Sequence, residues 1–145
     1  MRTVLDTAVL VAAIRSNKGA SRQLVRAALG ARFELLLSVA LVLEYEAVLK
    51  RPEHLKASGA TTSEIDKLLD ALIAKAEPVF RAFVWRPLLR DADDDMVLET
   101  AMSGHADLLV TFNQRDFEPA ASQLGIAVVS PQQALGEIGR RNENK

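Results

Sequence analysis

A chain of 145 residues, 49% apolar and 26% charged, has the size and composition of a single globular domain able to bury a core, so we expect one domain over residues 1–145. Eighteen basic against 19 acidic residues leave a net charge of −1, which excludes the global basic field of a non-specific nucleic-acid binder, although acids that hold cations would cancel basic residues elsewhere in that sum. Zero cysteines remove disulfides, thiolate zinc sites and cysteine nucleophiles together, and no apolar run reaches the roughly 18 residues of a membrane-spanning helix.

Asp6 comes too early for a secretory leader, so the expected location is cytoplasmic, with no membrane partner. Residues 3–5 (Thr-Val-Leu) predict a short buried strand that ends at Asp6 and Thr7. The apolar run from Val9 to Ile14 is too long and too alanine-rich for one strand, so a helix should start just after Asp6. Open α/β sheets bind their ligands at the carboxyl ends of strands, which makes Asp6 a candidate ligand. Simple capping of the helix by Asp6 or Thr7 explains the same residues, and both roles stay open at this point.

Residues 16–19 form a turn, and residues 21–29 an amphipathic helix closed by Gly30, with Arg22 and Arg26 on one face. Residues 33–37 predict the second strand, and Ser38 caps a helix running to about Lys50. That helix is apolar almost all round, which predicts heavy burial. Glu46 has Lys50 four residues on and is explained as a surface ion pair. Glu44 stands over Leu41 and Val48 with no base at i+3 or i+4, so it is the better inward-facing carboxylate. Arg51-Pro52 ends the helix, residues 54–59 form a short irregular or helical link, and Thr61 to Glu64 offer a capping box before a helix over residues 65–73 that Pro78 terminates. Residues 79–85 alternate and predict a strand, after which Arg86 and Arg90 lie near enough to steer an anionic substrate.

Asp91-Ala92-Asp93-Asp94-Asp95 then places four carboxylates in five residues, followed by the helical run 96–102. Capping and the helix dipole explain one or two of them. Carboxylates this crowded raise one another's pKa unless a cation offsets the charge. Asp94 shares a helix face with Val97, Leu98 and Ala101, whereas Asp95 lies with Glu99 and Met102, so Asp94 is the acid aimed at the protein body. An unpaired buried carboxylate is costly unless it meets a cation, which makes Asp94 the first candidate metal ligand.

Gly104-His105 turns into a buried strand over residues 107–111, and polar groups again follow its carboxyl end: Asn113, Gln114, Arg115 and Asp116. Residues 126–129 predict the last strand, Ser130-Pro131 opens a final helix, and residues 140–145 read as a frayed tail. Alternating strands and helices predict a three-layer α/β/α sandwich with a mainly parallel sheet of about five strands. Asp6, Glu44, Asp94 and Asp116 all lie on elements whose ends can converge on one sheet edge, and they offer only hard oxygen ligands, which suit Mg²⁺ or Mn²⁺. His54 and His105 lack zinc-ligand spacing. Cations held by carboxylates activate water in phosphodiester hydrolysis.

The order Leu5-Asp6-Thr7, Ser38 with Glu44-Tyr45-Glu46, Asp91-Ala92-Asp93-Asp94, and Val110-Thr111-Phe112-Asn113-Gln114-Arg115-Asp116-Phe117 resembles the PIN-domain family, nearest its VapC-like toxins of bacterial toxin–antitoxin systems. The likeness spans residues 3 to about 130. It implies a Mg²⁺- or Mn²⁺-dependent ribonuclease acting on single-stranded RNA, a homodimer and a cognate antitoxin. By position it implies metal-binding, catalytic roles for Asp6, Glu44, Asp94 and Asp116. Thr7, Ser38, Asp91, Asp93, Thr111 and Asn113 would support them, and Arg86, Arg90 and Arg115 would contact substrate. Two positions depart from the family pattern: Ala8 stands where Asn is frequent, and Asn113 where some relatives carry an acid. The rival expectations are a DNA or structure-specific PIN nuclease, an inert PIN-like module that binds RNA or protein, and a purely structural domain.

Overall fold

The computed structural model describes residues 1–80 and 92–143, with side chains through residue 80 and from 96 to 142. In chain order the elements are β1 (Arg2–Leu5), α1 (Thr7–Arg15), α2 (Ala20–Leu29), β2 (Glu34–Leu37), α3 (Val39–Leu49), α4 (Pro52–Ser58), α5 (Thr62–Lys75), β3 (Glu77–Pro78), α6 (Ala92–Ser103), β4 (Leu108–Val110), α7 (Gln114–Gln123), β5 (Ala127–Val129) and α8 (Pro131–Glu143). The five strands form one sheet in the order β3-β2-β1-β4-β5, and every pairing is parallel. Helices flank it, giving the three-layer α/β arrangement expected from the alternation of elements.

The strands are short continuous apolar runs because both faces of the sheet are covered. Successive side chains of a strand point to opposite faces, yet Val4 and Leu5, and likewise Leu108, Leu109 and Val110, are all buried. Register fixes the functional edge: Leu5 lies beside Val110, so the residues that follow them, Asp6 and Thr111, emerge side by side. From β1 the chain crosses to β2 on one side, while β4 lies on the other, so the carboxyl ends of β1 and β4 flank the point where the winding reverses. Ligands of open α/β sheets bind in the crevice at such a point.

Local chemistry sets the helix starts. Ser38 Oγ accepts the Leu41 amide at 3.2 Å and caps α3. Thr61 and Glu64 form the expected capping box at α5. Ser130 and Gln133 reciprocate in the same way ahead of α8, with Pro131 at its first position. Gly104, between α6 and β4, has no room for a side chain, since a Cβ there would lie 2.9 Å from Leu36 and from Val79.

Several expectations are corrected. The strand placed over residues 79–85 starts earlier: β3 is Glu77–Pro78, continued by one bond from the Val79 amide to the Leu37 carbonyl at 2.8 Å, and residues 81–85 lie outside the described residues. Pro78 therefore belongs to the edge strand, where a missing N–H is tolerated, and α5 stops at Lys75. Of the two readings of residues 54–59 the helical one holds, as part of α4 from Pro52 to Ser58, ended by Gly59 in a left-handed conformation. A helix that was not expected, α7, follows β4 and carries Pro119 inside it. The tail is helical through Glu143, where Arg140 pairs with Glu137. Finally, α3 is not buried all round: Leu41, Tyr45, Val48 and Leu49 face the core, while Val39 and Leu43 are exposed.

Candidate active site

Asp6 ends β1 and precedes α1, where it occupies the capping position without making a side-chain cap bond. Its carboxylate is instead turned to the neighbouring strand: Thr111 Oγ1 donates to Asp6 Oδ2 at 2.8 Å. Asp6 is 6% exposed and Thr111 fully buried, so this is an interior bond at the switch point of the sheet. The backbone beneath it is pinned, with the Asp6 amide on the Val110 carbonyl (2.9 Å) and the Thr111 amide on the Val129 carbonyl (3.0 Å). Thr111 Oγ1 also accepts the Asn113 amide at 3.0 Å, which ties the start of α7 to the same hydroxyl. Helix capping therefore does not account for the Asp6 carboxylate, which makes no side-chain cap bond.

Tyr45, from α3, donates its hydroxyl to the Leu5 carbonyl, one residue before Asp6. Burial pushes the Tyr45 phenol well above its usual value, and the nearby Asp6 charge adds to that. Ser38 and Thr100 share a buried hydroxyl bond at 2.9 Å that joins the end of β2 to α6, and Thr100 in turn donates to the Met96 carbonyl. Neither Tyr45 nor Thr100 is marked by sequence spacing. Their partners lie 40 and 62 residues away, and only Tyr45's place on the Leu41 and Val48 stripe hinted at burial.

The other expected residues fall as follows. Glu44 is partly buried on α3, next to Tyr45, and the Glu46–Lys50 pair is formed at 3.6 Å, with Lys50 also 2.6 Å from Asp66. Thr7 begins α1 and is partly buried. Asp116 and Arg115 are exposed in the first turn of α7, and Asn113 is its exposed capping residue. Asp93 and Asp94 lie in the first turn of α6, which begins at Ala92; their side chains, and Asp91, Arg86 and Arg90 altogether, lie outside the described residues. The stripe that was to carry Asp94 inward is buried as expected at Val97, Leu98 and Ala101. Among the described residues no three acids or histidines form a group able to hold a metal ion. What the described residues do provide is chemically suited to a hard cation: a nearly buried carboxylate at a strand end, oriented by a hydroxyl donor.

A parallel α/β domain with a carboxylate fixed at its switch point belongs to the class that binds ligands at the carboxyl edge of the sheet. A family model described as the PIN domain matches residues 2–115, and the chain belongs to that family. PIN domains are generally nucleases and typically use divalent metal ions. No curated protein matches the chain.

Proposed function

We propose that this PIN domain is a Mg²⁺- or Mn²⁺-dependent endoribonuclease that cuts single-stranded RNA, and that it is the toxin of a toxin–antitoxin pair. The observation that carries the reading is the buried Asp6 carboxylate, oriented by Thr111 at the junction of β1 and β4. Asp6 and Asp94 are the principal metal ligands in this reading, with Glu44 or Asp116 completing the set. In this reading the acidic cluster that opens α6 supplies the remainder. When bound, the cation supplies Lewis acidity and a water of lowered pKa.

The chain's own residues position and hold. Thr111 fixes the orientation of Asp6, so one face of the carboxylate is set before any ligand arrives. Asn113, bonded through its amide to Thr111, keeps the start of α7 at the same edge, and Arg115 in that turn meets the substrate phosphate. Ser38 and Thr100 tie α6 to the end of β2, which limits how far the acidic cluster can move from the sheet. The toxin role, the homodimer and the cognate antitoxin rest on the sequence resemblance. The exposed apolar residues Val39, Leu43 and Ile73 supply surface for a protein partner.

The test is cleavage of a labelled single-stranded RNA by purified protein in Mg²⁺, Mn²⁺ or EDTA, beside Asp94→Asn. Cleavage that needs the metal and disappears in the variant is expected. Absence of both cleavage and calorimetric Mn²⁺ binding would sink the enzyme reading in favour of an inert module.

A further inference from the structure

Phe112 stands 54% exposed between two residues that belong to the site. Thr111 before it holds Asp6, and Asn113 after it bonds back to Thr111 Oγ1. The Asn113 carbonyl accepts the Asp116 amide at 3.1 Å, so the backbone is pinned on both sides of the ring. Folding of this segment does not call for an aromatic at 112: Phe117, five residues on, is the phenylalanine that fills the core, with 0% exposure.

The ring forms one wall of a cavity of about 330 Å³, whose other walls are the α1–α2 turn and the start of α8. That volume is at the small-molecule end of ligand sites. Ala12 and Pro131 give it apolar surface, and Ser16, Ser130 and Gln132 bring hydrogen-bonding groups. Among the described residues no Asp or Glu lines it, and residues 7–33, which supply the α1–α2 turn, contain Arg15 and Lys18 and no Asp or Glu. Arg15 and Lys18, which bracket Ser16 in sequence, are exposed, as is Arg115 three residues beyond the ring.

We propose that this cavity is a nucleotide subsite, in which Phe112 stacks on a base next to the phosphate that is cut at Asp6. The inference deepens the ribonuclease reading and rests on it. An aromatic face beside basic side chains is the combination that holds single strands, because every base has a π-face while the cations follow the backbone. Ser16, Ser130 and Gln132 reach base or sugar edges, and Arg15 and Lys18 meet the adjoining phosphate. A double strand keeps its bases stacked on one another, so the subsite selects for unpaired nucleic acid.

The experiment is equilibrium binding of a short labelled single-stranded RNA by fluorescence anisotropy in EDTA, so that nothing is cut. Phe112→Ala and Phe112→Leu should each weaken binding about tenfold, and Phe112→Trp should retain it. A series of probes with one abasic nucleotide should show a position whose missing base costs the native protein about tenfold and costs Phe112→Ala nothing. Equal binding by native protein and Phe112→Ala, or abasic penalties unchanged in that variant, overturns the subsite; a protein partner covering the ring would give that result. If native protein and Phe112→Ala bind and cut RNA equally well, the subsite alone falls. If native protein neither binds RNA nor cuts it in Mg²⁺ or Mn²⁺, the ribonuclease reading falls and takes the subsite with it.

Discussion

At the amino ends of the strands, Arg2 gathers the acids around itself: Nη1 lies 2.5 Å from Glu77 and 3.5 Å from Glu34, Nε donates to the Gly104 carbonyl at 2.7 Å, and the Arg2 amide meets Asp107 Oδ2 at 2.9 Å. The hydrogen bond to Glu77 is the main cause of a raised Arg2 pKa. At the carboxyl ends, Asp6 is bonded to a neutral hydroxyl in the interior, beside a tyrosine whose ionisation is suppressed. One end matches charge with charge at the surface and serves register. The other keeps a carboxylate, an oxygen ligand of the kind that suits a hard cation, at low exposure on a hydroxyl donor. The difference separates charge-paired surface acids from a buried, hydroxyl-bound one within a single sheet.

The sharpest way to break this contrast is to neutralise one acid at each end. Asp6→Asn should lower metal-dependent RNA cleavage on the order of a hundredfold or more, whereas Asp107→Asn should leave it unchanged, as read from initial rates at saturating Mn²⁺. Thr111→Val comes next, with cleavage reduced about ten- to a hundredfold because Asp6 loses the donor that orients it. A thermal melt showing Thr111→Val folded, together with initial cleavage rates equal to those of the native protein, would remove Thr111 from the site.

Smaller effects follow at the two supports. Tyr45→Phe deletes the bond to the Leu5 carbonyl and should cost roughly 1 kcal/mol by urea unfolding at neutral pH. Folding raises the Tyr45 pKa, so the phenol's contribution is complete below the unfolded value of 10.0 and is lost as pH climbs from there through the folded value. Native protein should therefore lose stability above about pH 10 more steeply than Tyr45→Phe, and identical slopes would contradict the assignment. Arg2→Met should cost at most about 1 kcal/mol, because its partners are partly exposed, with cleavage unaffected and the loss reduced at high salt.

Much of the candidate site was legible because strand ends and helix starts are marked locally. Asp6 and Thr111 each follow a buried apolar run, and Ser38 caps α3 as its position predicts. Glu46 was rightly set aside as a surface pair. The errors came where local pattern and environment part company. The apolar α3 reads as buried, yet nothing among the described residues covers Val39 and Leu43. No helix is predicted for the polar stretch after β4, yet Phe117 and Ala121, four apart, dock into the core of one.

By itself the sequence determined the alternation of strands and helices through most of the chain, the parallel α/β class and the set of acids, since periodicity, capping residues and charge are properties of neighbours along the chain. Tertiary structure alone decided that Asp6 and Thr111, 105 residues apart, share a buried hydrogen bond, that Tyr45 braces the strand before them, and that Phe112 faces a cavity while Phe117 fills the core. Those outcomes depend on the order of strands in the sheet and the register between them, which bring distant residues together and which no local pattern encodes.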